Sequence, residues 1–170
     1  TDLYDIAQCD IILDDIIYLT EPFYQSGLVS QAIDYVTGEG VKYFTSAGNF
    51  GSDGWEDEFT PGTGLLDISH VFDGSSDHLQ EISLQKGTYT IVLQWEDLWY
   101  SDEPVGGATP QGAQYDFDIY LADEAGNILF GFNRDNWNGD PYEVLPFNVV
   151  ADVATANIVI EKASGPNLPV

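Results

Sequence analysis

The hydrophobic periodicity of this chain changes once, near Pro61, and that change restricts the fold more than any other feature. Ahead of it, residues 9–17 form an apolar run of strand length. Leu28, Ala32, Ile33 and Val36 then follow at helical spacing. Gly40 leads into Val41-Lys42-Tyr43-Phe44, whose residue types favour a strand. Strand, helix, strand is the unit from which parallel sheets are built. Beyond Pro61 the helical spacing vanishes. Tyr89, Ile91, Leu93 and Trp95 alternate with Thr90, Val92 and Gln94, and Tyr115, Phe117, Ile119 and Leu121 with Asp116, Asp118 and Tyr120. Short alternating segments with regular turns describe an antiparallel β-sandwich. The expected fold is therefore an α+β composite. Residues 1–60 make a partial βαβ segment of a parallel sheet, and residues 61–170 make a β-sandwich of about seven strands. Thr60-Pro61-Gly62-Thr63-Gly64 is the punctuated border between them.

Finer expectations follow from local chemistry. Residues 1–8 read as the end of a helix. The first strand, about residues 10–17, is apolar on both faces apart from Asp10, Asp14 and Asp15, as a strand covered on both sides by helices requires. Ser26 is placed to cap a helix over residues 27–38, and Gly38 and Gly40 to end it. The second strand is expected over residues 41–46. In the second half, Lys86-Gly87 reads as a turn between strands at 79–84 and 89–95, and Glu124-Ala125-Gly126-Asn127 as a hairpin turn. Residues 142–150 and 157–161 supply two further strands.

Acidic residues number 29 against 4 basic ones, a net charge of −25. A surface of that sign repels nucleic acid and anionic membranes, so neither is expected as a partner. High-salt solubility, Ca²⁺ sites and an extracellular surface each account for such acidity. A single cysteine, Cys9, rules out an intrachain disulfide and is expected as a buried structural thiol. No run is long enough to span a membrane and no signal peptide is evident. Methionine is absent even at position 1, which suggests an excerpt of a larger polypeptide or a processed fragment.

Ser46-Ala47-Gly48-Asn49 closes the second strand with residues that tolerate positive φ. An Asn at a strand end either makes a turn or aims its amide N–H at a developing oxyanion. The order strand, helix, Gly40-Val41, strand, Ser46-Ala47-Gly48-Asn49 resembles the subtilisin-like serine peptidases over roughly residues 5–52. The resemblance implies that Asn49 is the oxyanion-hole donor. It also implies that the strand ends, with Asp14, Asp15, Ser46 and Gly48, line the substrate cleft. Asp14-Asp15 departs from the Ser-Leu-Gly type sequence of that family. Two carboxylates there suit a basic substrate side chain, a metal ion, or simple solvation of a strand end.

The family's Asp, His and nucleophile-Ser motifs are not in the chain. Gly62-Thr63-Gly64 has Gly where the nucleophile belongs, and His70 and His78 lie in the sandwich half. The chain by itself should thus be inactive. It is expected to lie between the family's His and Ser segments, with the sandwich inserted after the Asn loop. Two strands and one helix cannot bury both faces of a parallel sheet. The expected partners are therefore the missing peptidase segments or another copy of the chain, with a peptide or protein as substrate of the whole enzyme.

The second half carries a resemblance of its own. Tyr115-Asp116-Phe117-Asp118-Ile119-Tyr120-Leu121, then Asp123-Glu124-Ala125-Gly126-Asn127 and Pro141-Tyr142-Glu143, resemble pre-peptidase C-terminal sandwich domains. Such domains accompany secreted peptidases, which implies an extracellular or cell-surface protein. No cofactor is required. Asp116 and Asp118 share one strand face, with Asp97 or Glu96 nearby if strands pair and Glu143 as a weaker addition. They suit either a Ca²⁺ ion or the solvated face of an edge strand. Trp95 alternates with the core, whereas Trp99, Tyr100 and Trp137 fall in loops, where they contact sugars or proteins or cap the sandwich. The reading reached is a fragment of a subtilisin-like peptidase. Its alternative is a non-catalytic sandwich that binds protein, glycan or Ca²⁺, attached to a degenerate peptidase-like domain.

Overall fold

A computed structural model describes residues 2–51, 53–62, 66, 68–74, 76–102 and 111–166. The chain divides into two units, Thr1–Asp57 and Glu58–Val170.

The first unit holds α1 (Asp2–Asp5), β1 (Ile11–Asp14), α2 (Leu28–Gly38) and β2 (Lys42–Thr45). β1 and β2 pair in parallel, from Ile11 opposite Lys42 to Asp14 opposite Thr45. Alternation puts Ile12 and Tyr43 on one face, where Ile12 joins Val36 of α2 and Val41 in a small core flanked by Tyr4, Cys9 and Tyr43. The opposite face is bare: Ile11, Leu13 and Phe44 are 64 %, 73 % and 56 % exposed. A strand buried on both faces was expected. One helix covers one face, so the apolar residues of the other remain in solvent. β1 is also shorter than expected, ending at Asp14.

Ser26 does not cap α2. Gly27 occupies the cap position without a side-chain bond, and the Val29 N–H donates to Glu21 Oε1 at 2.8 Å. A carboxylate over the first turn satisfies a free N–H and the helix dipole together. A Cβ on Gly27 would stand 2.1 Å from that oxygen, so a glycine there leaves room for it. The helix ends as expected, with Glu39 as cap and Gly40 at φ +94°.

The second unit is antiparallel. It contains β3 (Pro61–Gly62), β4 (Ser69–His70), β5 (Gln80–Gln94), β6 (Asp116–Ala122), β7 (Ile128–Phe132) and β8 (Tyr142–Ser164). The sheet order is β3-β4-β8-β6-β7, with β5 also paired to β8. About seven short strands were expected; six appear among the described residues because β5 and β8 run through the expected breaks. Lys86-Gly87 is a bulge and not a turn. Gln85 pairs with Val153 and Gly87 with Val149, so Lys86 and residues 150–152 leave the ladder. A bulge bends a strand where a turn would end it. Beyond the bend, Leu145 and Phe147 of β8 pack with Ile119 and Leu121 of β6 and with Leu84 and Ala156, which closes the main core. Phe147 also meets Phe130 of β7, with ring centroids 5.9 Å apart. A second cluster joins Trp95, Phe117 and Ile160. The β6–β7 hairpin turns where expected. Gly126 stands at φ +81°, and Asp123 Oδ1 accepts from the N–H groups of Ala125 and Asn127. The expected Thr63-Gly64 turn and the Leu65 and Asp67 positions lie outside the described residues.

Candidate functional site

Because β1 and β2 are parallel and in register, their C-terminal ends, Asp14 and Thr45, lie side by side. Ligands of open parallel sheets bind at this edge. Asp14 Oδ1 accepts from Thr45 Oγ1 at 2.5 Å, and Oδ2 accepts from the Tyr43 hydroxyl. These bonds, Thr45 first, hold the Asp14 carboxyl below its usual range. The reciprocal effect pushes the Tyr43 phenol up to about 12. Asp14 is thus spent on tying the two strand ends together. Asp15 is exposed beside it.

β2 continues into Ser46-Ala47-Gly48-Asn49. Gly48 adopts φ +71°, a conformation that L side chains rarely take. Ile17 Cδ1 lies 3.7 Å from where a Gly48 Cβ would stand, so the segment after β1 packs on this turn. Ser46 and Asn49 are exposed at the same edge. The structure thereby gathers Asp14, Asp15, Ser46, Gly48 and Asn49 at one end of one sheet. Sequence reasoning missed Tyr43 and Thr45 as partners of Asp14; their alternation along β2 puts both on the Asp14 face.

Asp14→Ala is expected to fray this edge, because two hydroxyls lose their acceptor. The readout is hydrogen exchange at residues 43–45. Unchanged protection would show that the bonds do not hold it. Lowering the pH should act in the same direction. A carboxyl whose folded pKa is depressed contributes stability above its ordinary value of 3.8 and loses it as pH falls through the folded value.

In the second unit, Asp116 and Asp118 lie on β6, where both pair with β8. Both are buried, not the solvated face of an edge strand. Asp116 Oδ1 accepts from the Asn136 N–H at 3.0 Å. The Tyr120 hydroxyl lies 3.0 Å from Asp118 Oδ2 and 3.2 Å from Glu161 Oε2. Burial raises both aspartates, Asp118 to about 6. Asp97 does not join them, since its Oδ2 accepts from the N–H groups of Gln114 and Tyr115 at 2.7 and 2.8 Å. Glu96 is exposed. Among the described residues, no three His, Cys, Asp or Glu side chains are grouped to hold a metal ion.

Glu143, rated a minor candidate from sequence, is fully buried. The signal for this was present: it falls two residues before Leu145 in the inward set of an alternating strand. Trp99, placed in a loop as either an exposed contact or a cap, is buried and stacks on Tyr142 at 5.5 Å, while Tyr100 and Trp137 are exposed. Ser69 Oγ lies 2.8 Å from His78 Nδ1, but Ser69 is fully buried and offers no approach to a substrate carbonyl.

Comparison with family models, curated proteins and solved structures found no match. No helix among the described residues is long and apolar enough to cross a membrane.

Proposed function

We propose that this chain is a segment of a secreted or cell-surface subtilisin-like serine peptidase, with Asn49 as its oxyanion-hole donor and a β-sandwich as accessory domain. The observation that carries this reading is the exit from β2. The chain leaves the C-terminal edge of a parallel, helix-backed sheet through Gly48 at positive φ and presents Asn49 to solvent. In peptide hydrolysis a serine attacks the scissile carbonyl with a histidine as base. The Asn49 amide would then donate to the oxygen that becomes negative. Serine, histidine and orienting aspartate come from segments outside this chain. The bare face of Ile11, Leu13 and Phe44 supports this reading too, as the place where such segments would pack. The exposed Asp15 carboxylate gives the cleft a preference for basic substrate side chains.

The test uses the whole polypeptide that contains this chain, treated with a fluorophosphonate serine reagent and given casein as substrate. Covalent labelling together with hydrolysis is expected. A folded protein that does neither is a binding module, and the exposed Tyr100 and Trp137 would then be the first residues to test for ligand contact.

A further inference from the structure

Glu143 stands in the second unit as a carboxyl group with no side-chain hydrogen bond. It is fully buried, belongs to the inward set of β8 with Leu145 and Phe147, and lies opposite Leu93 of β5. No side chain donates to either of its oxygens, and the Arg134 backbone N–H is the one donor turned toward the group. A carboxylate in that position has lost its water and gained only one backbone N–H in return, an unfavourable way to bury a charge. The charged groups that face it are Asp118 and Asp116 of β6, which repel a second negative charge, and Arg134 after β7, which attracts one. Arg134 is already engaged: its Nη2 donates to the Tyr142 carbonyl at 3.2 Å, and its guanidinium lies 5.2 Å from the Tyr142 ring centroid.

We propose that the folded second unit carries Glu143 as a neutral carboxylic acid, and that ionisation of this group loosens the loops packed around Tyr142. Burial pushes the Glu143 carboxyl up to about 8, with Arg134 opposing and Asp118 and Asp116 adding to the shift. The sign is then set. A raised carboxyl binds more protons folded than unfolded, so its stability is complete below the ordinary value of 4.5 and is lost as pH rises through about 8. The loops that would respond are anchored beside it. The Tyr142 carbonyl also accepts from Asn136 Nδ2 at 3.0 Å, the Tyr142 ring stacks on Trp99, and the Ser101 N–H donates to Asp140 Oδ1 at 2.8 Å. A charge forced onto Glu143 competes for Arg134 and draws water toward this end of the sheet. The effect does not depend on whether the first unit takes part in catalysis.

The experiment is a carboxyl-carbon NMR titration of the full chain, with the Glu143 signal assigned by its loss in Glu143→Gln. It is paired with thermal unfolding between about pH 5 and about pH 8.5. The expected results are a Glu143 signal titrating at least about two pH units above an ordinary glutamate, and a melting temperature that falls across this range in the parent chain but much less in Glu143→Gln. A signal titrating near the ordinary value, or the same pH slope in both proteins, overturns the proposal. If Glu143→Gln does not fold, the parent signal, assigned by through-bond correlation, decides alone. Millimolar Ca²⁺ that raises the melting temperature at about pH 8.5 in the parent, and not in Glu143→Gln, would also overturn it, by showing that an ion holds this group in place of a proton.

Discussion

If the proposed peptidase reading holds, Asn49→Ala in the whole polypeptide is expected to lower turnover by about 100-fold or more and to leave KM nearly unchanged. The asymmetry follows from when the amide acts. A ground-state carbonyl gains little from one extra donor, whereas the tetrahedral intermediate places a full negative charge on the oxygen that the donor faces. Removing such a donor costs roughly 3–4 kcal/mol, all of it in the transition state. Asn49 is exposed, so its loss leaves no cavity and unsatisfies no buried group. A change in stability therefore does not account for a fall in rate, and melting temperature serves as the control. Asn49→Asp should be as poor as alanine, because a carboxylate is isosteric but repels the oxyanion. Unchanged turnover in Asn49→Ala would remove Asn49 from the chemistry and with it the main support for the peptidase reading.

The largest effect on folding is expected at Ile119. It is 2 % exposed on the central strand β6 and packs into the cluster of Leu84, Leu121, Leu145, Phe147 and Ala156. Ile119→Ala loses the transfer free energy of three carbons and leaves a cavity among the side chains of that cluster, a cost of about 3–4 kcal/mol. For a unit of this size that corresponds to a fall in melting temperature of roughly 15 °C. Val150→Ala is the matched control. Val150 is 84 % exposed at the bend of β8, where the ladder is interrupted. Its truncation should stay within about 0.5 kcal/mol of the parent. Equal effects at the two positions would mean that the core around Ile119 is not packed as described.

The two carboxyl groups singled out above should respond to pH in opposite senses. Asp14 is held charged by hydroxyl donors at a strand end, and Glu143 is held neutral by burial without a side-chain donor. Acid loosens the first and strengthens the second. Measuring the units separately, through hydrogen exchange at residues 43–45 and at residues 142–147, distinguishes the two.

Much of the architecture was legible in the sequence. The switch from helical spacing to alternation near Pro61 separates a parallel strand–helix–strand unit from an antiparallel one, because the two periods place side chains on incompatible surfaces. The positions of α2, of the Gly40 stop and of the Gly126 hairpin also follow from local chemistry. These are decisions taken within a few residues, by backbone freedom and by the spacing of apolar groups.

Contacts between distant residues decided the rest. Lys86-Gly87 is chemically a turn, yet β8 offers partners on both sides of it, so the strand bends and continues. Ser26 is a better intrinsic cap than any other residue near α2, but Glu21 reaches the helix end through the space that Gly27 leaves. Asp14, Asp116 and Glu143 are three carboxylates that composition treats alike. The tertiary structure gives the first two hydroxyls, the second a backbone N–H from Asn136, and the third burial with no side-chain donor. Charge on an acidic side chain is set by what stands within a few ångströms of it, and the order of residues along the chain does not specify that distance.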